Sequence, residues 1–403
     1  MPSYRCILGI MVSDQAISPA GRTDAPLIMP EDAFCRGLCR LGRTLGLLVY
    51  LFDGSSHISG GAITGFSLRA NDWSAGSFPL PDVVYDRTLS RNAEQYKRRN
   101  RKLAELKELH PFTPLSGGLP GKWDVYAAMQ TDEELTKSLP ATYRYDGPEQ
   151  LHALMHHYPK GLFIKPSAGM HGKGALRIRS DLKGYELDGR NAANQPISRR
   201  FAEPQDASDF IARFIRSTVY IIQPYLELSD EEGRAFDVRA LIQKDDRGVW
   251  VYTGSALREG QQGSVTANLC GGGKAVNAEE SLVDRFGLAA ASKLLARIRR
   301  ICERAAPQLE QHFGRLAELG FDFGIEQSGK LWLLEVNAKP GRLSMNTDKK
   351  LAQIALRRPL QYAILLASRR KPMFHSESQP IQRHNTAKAA QRIQRRYVQE
   401  VHP

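Results

Sequence analysis

The sequence predicts an α/β protein, mixed enough to be called α+β, in which an N-terminal βαβ parallel-sheet domain precedes a larger body of hairpins and helices. Three observations predict this. Two short apolar runs, CILGIMV (6–12) and LLVYLF (47–52), flank a stripe of Phe34, Leu38, Leu41, Leu45 and Leu48. Steps of four and three are helical, so the segment reads strand, helix, strand, the pattern of a parallel pair with its crossover. Beyond the Pro/Gly-rich segment HPFTPLSGGLPG (110–121) the pattern changes to paired strands. Finally, 403 residues exceed one small core and suit two or three packed units.

The elements follow in order. Gly46 is placed to stop the first helix, and a Gly/Ser-rich turn region follows the second strand. PDVVYDR (81–87) is a further strand with Pro81 at its start. Residues 91–109 carry seven Lys/Arg against three Glu and read as an exposed basic helix. The division into domains is expected at 1–113 and 114–370. In the second part, YPKGLFIKPSAGMHGKGALRIRS is two strands around a Gly-rich loop, and VYIIQPYLEL (219–228) is a strand entering a connector. FDVRALIQKDDRGVWVYTGSALRE is a hairpin turning at DDRG, residues 284–313 are helical, and FDFGIEQSGKLWLLEVN is a second hairpin. From about Lys371 the chain is polar, with six Lys/Arg and two Glu, and reads as a basic, loosely attached tail with a short helical pattern at 387–401.

Composition narrows the function. Hydrophobic residues make up 42% and charged residues 25%, ordinary values for a globular chain, and no apolar run reaches the length of a membrane helix. The N-terminal apolar stretch is too short for a signal peptide. Five cysteines, at 6, 35, 39, 270 and 302, are odd in number and scattered, so a reducing, cytoplasmic compartment is expected. Cys35 and Cys39 have no second Cys/His pair nearby, so zinc is not expected. The net charge of +13 is spread along the chain. Without a recognisable motif or aromatics interleaved on a basic strand, nucleic acid is not an expected partner.

The residues that carry chemistry form an ordered series. In FDFGIEQSGKLWLLEVNAKPGR (321–342), Ser328-Gly329 suits a two-residue hairpin loop. With that loop as centre, Asp322 and Glu335 stand opposite one another, and Asn337 shares the face of Glu335. Opposed carboxylates repel unless a cation lies between them, and hard oxygen donors at this density suit Mg²⁺. In FIKPSAGMHGKG (163–174), Lys165 ends a strand and Gly169, Gly172 and Gly174 allow backbone amides to approach phosphates. The spacing of a Walker loop is absent. Gln223-Pro224-Tyr225 follows the strand VYII, where a proline-stiffened connector offers backbone groups to adenine. Asp237 and Arg239 alternate on a strand and face one way, and a buried arginine there needs an anion.

A lysine, a lysine with a Gly-rich loop, a connector, Asp-x-Arg, then Asp with Glu-x-Asn: this order resembles the ATP-grasp superfamily over roughly residues 110–370. Within it the chain is similar to the YheC/YheD-like endospore coat-associated family. The matching features are LGIMVS, PDVVYDR, the segment with Lys122, Trp123, Leu139, Pro140 and Thr142, and EVNAKPGR. The resemblance implies a two-lobed ATP-grasp fold after the first domain. It also implies an ATP- and Mg²⁺-dependent ligase that joins a carboxylate to an amine through an acyl phosphate. Lys122 and Lys165 would bind the phosphates, and the loop Ser167, Gly169, Gly172, Lys173, Gly174 would close over them. Gln223 and Tyr225 would meet adenine, with Glu227 on ribose and Asn268 in a loop bordering the site. Asp322, Glu335 and Asn337 would hold one or two Mg²⁺. Arg239 would face the transferred phosphoryl group, and Lys339 and Arg342 would meet an acidic substrate.

The resemblance leaves the substrates open among amino acids, peptides and cell-wall precursors. It implies spore-coat proteins as partners and association with the endospore coat. The competing expectation is a non-catalytic ATP-binding structural protein of the coat. Two opposed acids favour the enzyme, since a scaffold has no need to keep them.

Overall fold

The structure, a computed structural model, describes residues 4–14, 28–90, 92–169, 172–260 and 273–370. The chain divides into a body, Met1–Ser368, and a terminal unit, Arg369–Pro403. The expected tail and its short helical pattern lie outside the described residues.

The body opens with β1 (Cys6–Met11), α1 (Asp32–Thr44) and β2 (Leu47–Phe52), and β1 and β2 pair in parallel as expected. Helix α1 buries Phe34, Cys35, Leu38 and Cys39 against the sheet. Gly42 is where helix and strand come closest: a Cβ there would lie 2.4 Å from Val49 Cγ2. The region expected as turns holds strands instead: β3 (Ile58–Ser59), β4 (Ala62–Arg69) and β5 (Asp72–Pro79). Within β4 and β5 only Ile63, Leu68 and Trp73 are buried apolar residues, so no apolar run marks these strands. Strand β6 (Val83–Asp86) returns parallel to β1. Helix α2 (Ala93–Leu109) is capped by Asn92, whose side chain accepts from the Gln95 N–H at 2.9 Å. Strand β7 (Thr113–Pro114) then joins the edge of β6, and the sheet runs β3-β4-β2-β1-β6-β7 with β5 on β4.

The second sheet is antiparallel. After α3 (Lys122–Gln130) and α4 (Glu133–Thr136) come β8 (Tyr143–Arg144), α5 (Pro148–His157), β9 (Leu162–Pro166), β10 (Leu176–Asp181), β11 (Gly184–Arg190), β12 (Pro196–Phe201), α6 (Pro204–Ile215) and β13 (Tyr220–Pro224). The order is β12-β11-β10-β9-β13-β8. Leu162, Ile164, Leu176, Ile178 and Ile222 point into a core closed by α5 and α6. The pleat therefore turns Phe163, Lys165, Arg177 and Gln223 to the opposite face.

The third sheet is built from β14 (Phe236–Lys244), β15 (Trp250–Glu259) and β16 (Lys274–Asn277), then, after α7 (Ala278–Phe286) and α8 (Leu288–Phe313), β17 (Glu318–Ile325) and β18 (Leu331–Asn337). The order is β16-β15-β14-β17-β18. Helices α3 and α8 cover the face bearing Val238, Ile242, Leu319, Phe321 and Phe323. Asp237, Arg239 and Asp322 lie on the other face. A short 3₁₀ turn, Leu343–Thr347, leads to α9 (Lys349–Arg370). Leu351 and Ala355 of α9 pack on the third sheet, while Leu360, Tyr362, Ala363 and Leu366 enter the core of the first. The proposed domains 1–113 and 114–370 thus share a core through α9.

The hairpin β17–β18 turns differently from expectation. Gly329 adopts φ +80°, its N–H bonds Glu326 O, and the Glu326 N–H bonds Lys330 O. This is a three-residue loop of Gln327, Ser328 and Gly329, not a two-residue one. Asp322 nevertheless pairs with Glu335, because a bulge at Leu334 shifts the register by one residue. Leu331, Leu333 and Val336 stay in the core, and the bulge turns Glu335 and Asn337 to the other face.

Candidate active site

The polar faces of the second and third sheets line a cavity of about 630 Å³. Its walls are set by the alternation just described: core side chains inward, charged side chains into the cleft.

At one end stand two lysines. Lys122 opens α3, and its backbone N–H donates to Ser167 O at 2.8 Å. The Trp123 N–H donates to Ser167 Oγ at 3.2 Å, so Ser167 satisfies two amides at the start of the helix. Ser167 is buried and does not line the cavity; its place is that of a helix cap, not of a phosphate contact. Lys122 Nζ donates to Gly169 O at 2.9 Å and lies 3.6 Å from Glu335 Oε1. Lys165 Nζ reaches Leu334 O at 3.5 Å. Burial, aided by the charge of Lys122 and opposed by Glu335 and Asp322, lowers the Lys165 pKa to about 8. Gly169, Gly172 and Lys173 line the cavity. Gly174 does not: it adopts φ +73°, and a Cβ there would meet the Tyr220 hydroxyl at 2.8 Å, so its role is to let the loop fold back. Residues 170 and 171 of this loop, and Asn268 with its loop, lie outside the described residues.

The connector lines the cavity with Gln223, Pro224, Tyr225 and Leu226. Gln223 is held by a bond from its Nε2 to Thr142 Oγ1 at 2.8 Å. The Tyr225 N–H is already committed to Gly161 O at 2.9 Å. The Leu226 N–H makes no hydrogen bond among the described residues and is an open donor of the connector. Glu227 departs from expectation. Its side chain is 65% exposed and pairs with Lys160 at 2.9 Å, outside the cavity, while its neighbours Leu226 and Leu228 line the cavity.

Four charged groups of the third sheet form a closed set. Arg258 grips Asp237 through Nε at 2.6 Å and Nη2 at 2.7 Å, and its Nη2 also lies 3.1 Å from Asp322. Arg239 pairs with Asp322 through Nε and Nη2. Burial would raise the Asp322 pKa, but the two guanidiniums hold it below the ordinary value. Asp237 is pushed by burial up to about 6, with Asp322 adding to the rise and Arg258 and Arg239 opposing it. The cations that answer Asp322 in the structure are thus arginines. Glu335 is looser, with Lys122 its ion-pair partner among the described residues. Asn337 donates its amide to Asp322 at 3.4 Å, which leaves its oxygen for another partner. All three line the cavity. As hard oxygen donors, Glu335 and Asn337 fit a divalent cation, with Asp322 joining if it shares an oxygen now held by arginine.

The structure separates Lys339 from Arg342. Lys339 lines the cavity, but its Nζ is tied to Asp86 at 2.7 Å and to Thr88 O at 2.9 Å at the end of β6. Arg342 is buried outside the cavity, where it pairs with Glu318 and lies 4.7 Å from the Phe34 ring. Arg87 and Tyr85 also bond Glu318, so Arg342 belongs to a buried network joining the first and third sheets. It is placed for structure, not for substrate. Among the cavity residues that escaped the sequence reading are Phe163, Arg177 and Arg258. Phe163 and Arg177 were legible as residues alternating with the core positions of β9 and β10. Arg258 was hidden by the bulge at Leu241/Ile242, which shifts its pairing with Asp237.

A seven-stranded first sheet followed by two antiparallel sheets with a cleft between them is the two-lobed ATP-grasp architecture. The model of the family described as YheC/D like ATP-grasp matches residues 112–366, and the chain belongs to that family. It is similar to the endospore coat-associated protein YheC of Bacillus subtilis (strain 168), 26% identical over 68% of this chain and 75% of that one. It is also similar to the endospore coat-associated protein YheD of the same strain, 28% identical over 77% of this chain and 68% of that one. Among solved structures, the D-alanine-D-alanine ligase from Coxiella burnetii matches with a TM-score of 0.50 and 10% identity, over 91% of this chain and 96% of that one. That likeness is one of fold. The expectations of fold and family hold. Among the described residues no helix is long and apolar enough to cross a membrane.

Proposed function

We propose that the protein is an ATP- and Mg²⁺-dependent ligase that joins a carboxylate to an amine through an acyl phosphate. The observation that carries this reading is the convergence of Lys122, Lys165 and Glu335 in one cleft, although they come from three separate segments. Two ammonium groups facing a carboxylate suit a polyphosphate with its metal. Membership of the family and the fold of a D-alanine-D-alanine ligase support the reaction class.

Lys122 and Lys165 would neutralise the phosphates, and the Leu226 N–H would meet a purine acceptor at the connector. Asp322, Glu335 and Asn337 would hold Mg²⁺, which when bound supplies charge neutralisation on the phosphates. Arg239, oriented by Asp322, would face the transferred group. The substrate carboxylate oxygen attacks the γ-phosphorus and the bond to ADP breaks. The amine lone pair then attacks the acyl carbon, phosphate departs with the bonding pair, and the amine proton is released. The loop of Gly169, Gly172 and Lys173 would exclude water from the acyl phosphate. The cations once expected to meet an acidic substrate do not stand ready for it, since Lys339 is paired with Asp86 and Arg342 lies outside the cleft. The proposed setting is the cytoplasm, in spore-coat biogenesis after the names of the two relatives, or in envelope biogenesis.

The test is ADP release with Mg-ATP against amino acids, short peptides and cell-wall precursors, with hydroxylamine added to trap acyl phosphate as hydroxamate. ADP and hydroxamate formed in equal amounts with some carboxylate support the ligase. One observation favours a second reading, an ATP-binding structural protein of the coat: both oxygens of Asp322 are engaged by arginine. ATP binding without turnover on any carboxylate would favour it.

A further inference from the structure

Most sheet edges of this chain are blunted. β3, β7 and β8 are two residues long, and β7 ends in Pro114. β12 carries Pro196 and the exposed Arg199 and Arg200, and β16 is four residues opening on Lys274. At β18 the Leu333 N–H donates to Ser138 O at 2.7 Å. Short length, charge, proline and cover are the usual means of keeping an edge from pairing with another chain. The middle of β5 has none of these. This strand is eight residues long, DWSAGSFP, with its one charge, Asp72, at the start and Pro79 at the end. It pairs with β4 without a bulge, from Arg69 with Asp72 to Ala62 with Pro79. Its other side is open: from Trp73 to Phe78 the backbone bonds β4 alone among the described residues. Alternate residues of an antiparallel strand aim N–H and C=O away from the first partner, so a row of donors and acceptors faces outward. Trp73 is buried and Phe78 stacks on Tyr50 at 4.7 Å, while Ala75, Gly76 and Ser77 between them are exposed.

We propose that β5 pairs with β5 of a second copy of this chain, antiparallel across a two-fold axis, joining two first sheets edge to edge. What the edge offers selects the occupant. Its open backbone groups require an extended strand, and its small, uncharged centre requires a strand with small, uncharged residues. β5 is itself such a strand, and among the described residues no other edge is of this kind. A strand running antiparallel to its own copy closes as a dimer and leaves no free edge on which further copies add. The axis stands perpendicular to the sheet, so residues that meet share a face and the axis passes through a residue. Centred on Ala75, that residue meets its own copy and Ser74 meets Gly76. Centred on Gly76, that residue meets its own copy and Ala75 meets Ser77. In neither register does a charge meet a like charge. β6, whose Asp86 holds Lys339 of the cleft, lies towards the other end of the strand order, so the pairing edge is not the edge that meets the cleft.

The experiment is sedimentation equilibrium of the full chain from low to high micromolar concentration, repeated on the double variants Ala75→Lys, Ser77→Lys and Ala75→Ser, Ser77→Ala. The wild type should sediment as a dimer in reversible equilibrium with monomer. In either register the lysine variant sets two introduced cations opposite each other, so its dimer should dissociate at least about 100-fold more readily. The second variant keeps small, uncharged residues and should keep the dimer. Far-ultraviolet circular dichroism shows whether the lysine variant is folded. Should it not fold, hydrogen exchange of wild-type peptides spanning 72–79 decides, since their amides should exchange more slowly as the dimer forms. A wild type that stays monomeric overturns the proposal. So does a dimer that the folded lysine variant keeps, or exchange at 72–79 that does not change as the mass rises.

Discussion

Asp322 and Glu335 face each other across β17 and β18, yet their charges are answered in different ways: Asp322 by two buried arginines, Glu335 by Lys122 at 3.6 Å. The pair is therefore one acid held by two arginines and one more available acid. Asp322→Asn leaves two guanidiniums undercompensated in a buried place and should cost about 3–5 kcal/mol of stability. Glu335→Gln, whose side chain is 29% exposed, should cost less than about 1 kcal/mol. In turnover the order of interest is different: Glu335→Gln should still reduce Mg-dependent ATP use by about 100-fold or more. Urea denaturation and ADP release on the two variants check both halves.

Lys165 makes a pH-dependent prediction. Its pKa is lowered from 10.5 to about 8, so near pH 8 about half of the free protein carries it neutral. A bound polyphosphate favours the ammonium form. Binding Mg-ATP at pH 8 should therefore take up about half a proton, read from titrations in buffers of different ionisation enthalpy. Lys165→Met should abolish that uptake.

The same shift has a stability consequence. Between pH 8 and 10.5 the unfolded chain keeps a proton on Lys165 that the folded chain has lost, so this group's contribution rises with pH in that window. Its cost is fully present below the folded pKa. Lys165→Met should thus raise the melting temperature of the free protein at pH 7 by a few degrees while weakening nucleotide binding. A drop in melting temperature at pH 7 would show that Lys165 is net stabilising and that the sign is wrong.

Arg342 should behave as a structural residue. Arg342→Met removes a partner from Glu318, which is fully buried, and should destabilise by about 3–5 kcal/mol. Mg-ATP affinity, measured where the variant is folded, should be unchanged. Glu318 itself is held below the ordinary carboxylate range: burial opposes this, but Arg342 and Arg87 prevail. Its stabilising contribution is present above the unfolded carboxylate pKa and is lost as pH falls through the lower folded value. Acid titration of stability should therefore be steeper below about pH 4 in the wild type than in a Glu318→Gln, Arg342→Met double variant.

The sequence exposed those parts of the fold where burial forces a period. β1, α1 and β2 were legible because one face of each must be apolar. β4 and β5 were not, since their partly exposed strands mix polar residues with few apolar ones. The opposition of Asp322 and Glu335 was read correctly through a turn that was read wrongly: the bulge at Leu334 restored the register that the longer loop had shifted. Two neighbouring residues on one motif, Lys339 and Arg342, had different outcomes because the partners that decide them, Asp86 and Glu318, are remote in sequence. Glu227 shows the same limit at short range. A connector has no enforced alternation, and only the folded chain shows that its carboxylate pairs with Lys160.

Whether Lys122, Lys165 and Glu335 form one Mg-ATP site is read from calorimetric titration of Mg-ATP into the wild type, Lys122→Ala, Lys165→Met and Glu335→Gln. The wild type should bind saturably, and removing Mg²⁺ should weaken binding. Each lysine variant should lose at least about tenfold in affinity, the value of one charge-assisted phosphate contact. Glu335→Gln should lose the dependence on Mg²⁺. No binding by the folded wild type, or binding that neither lysine variant weakens, would contradict the account.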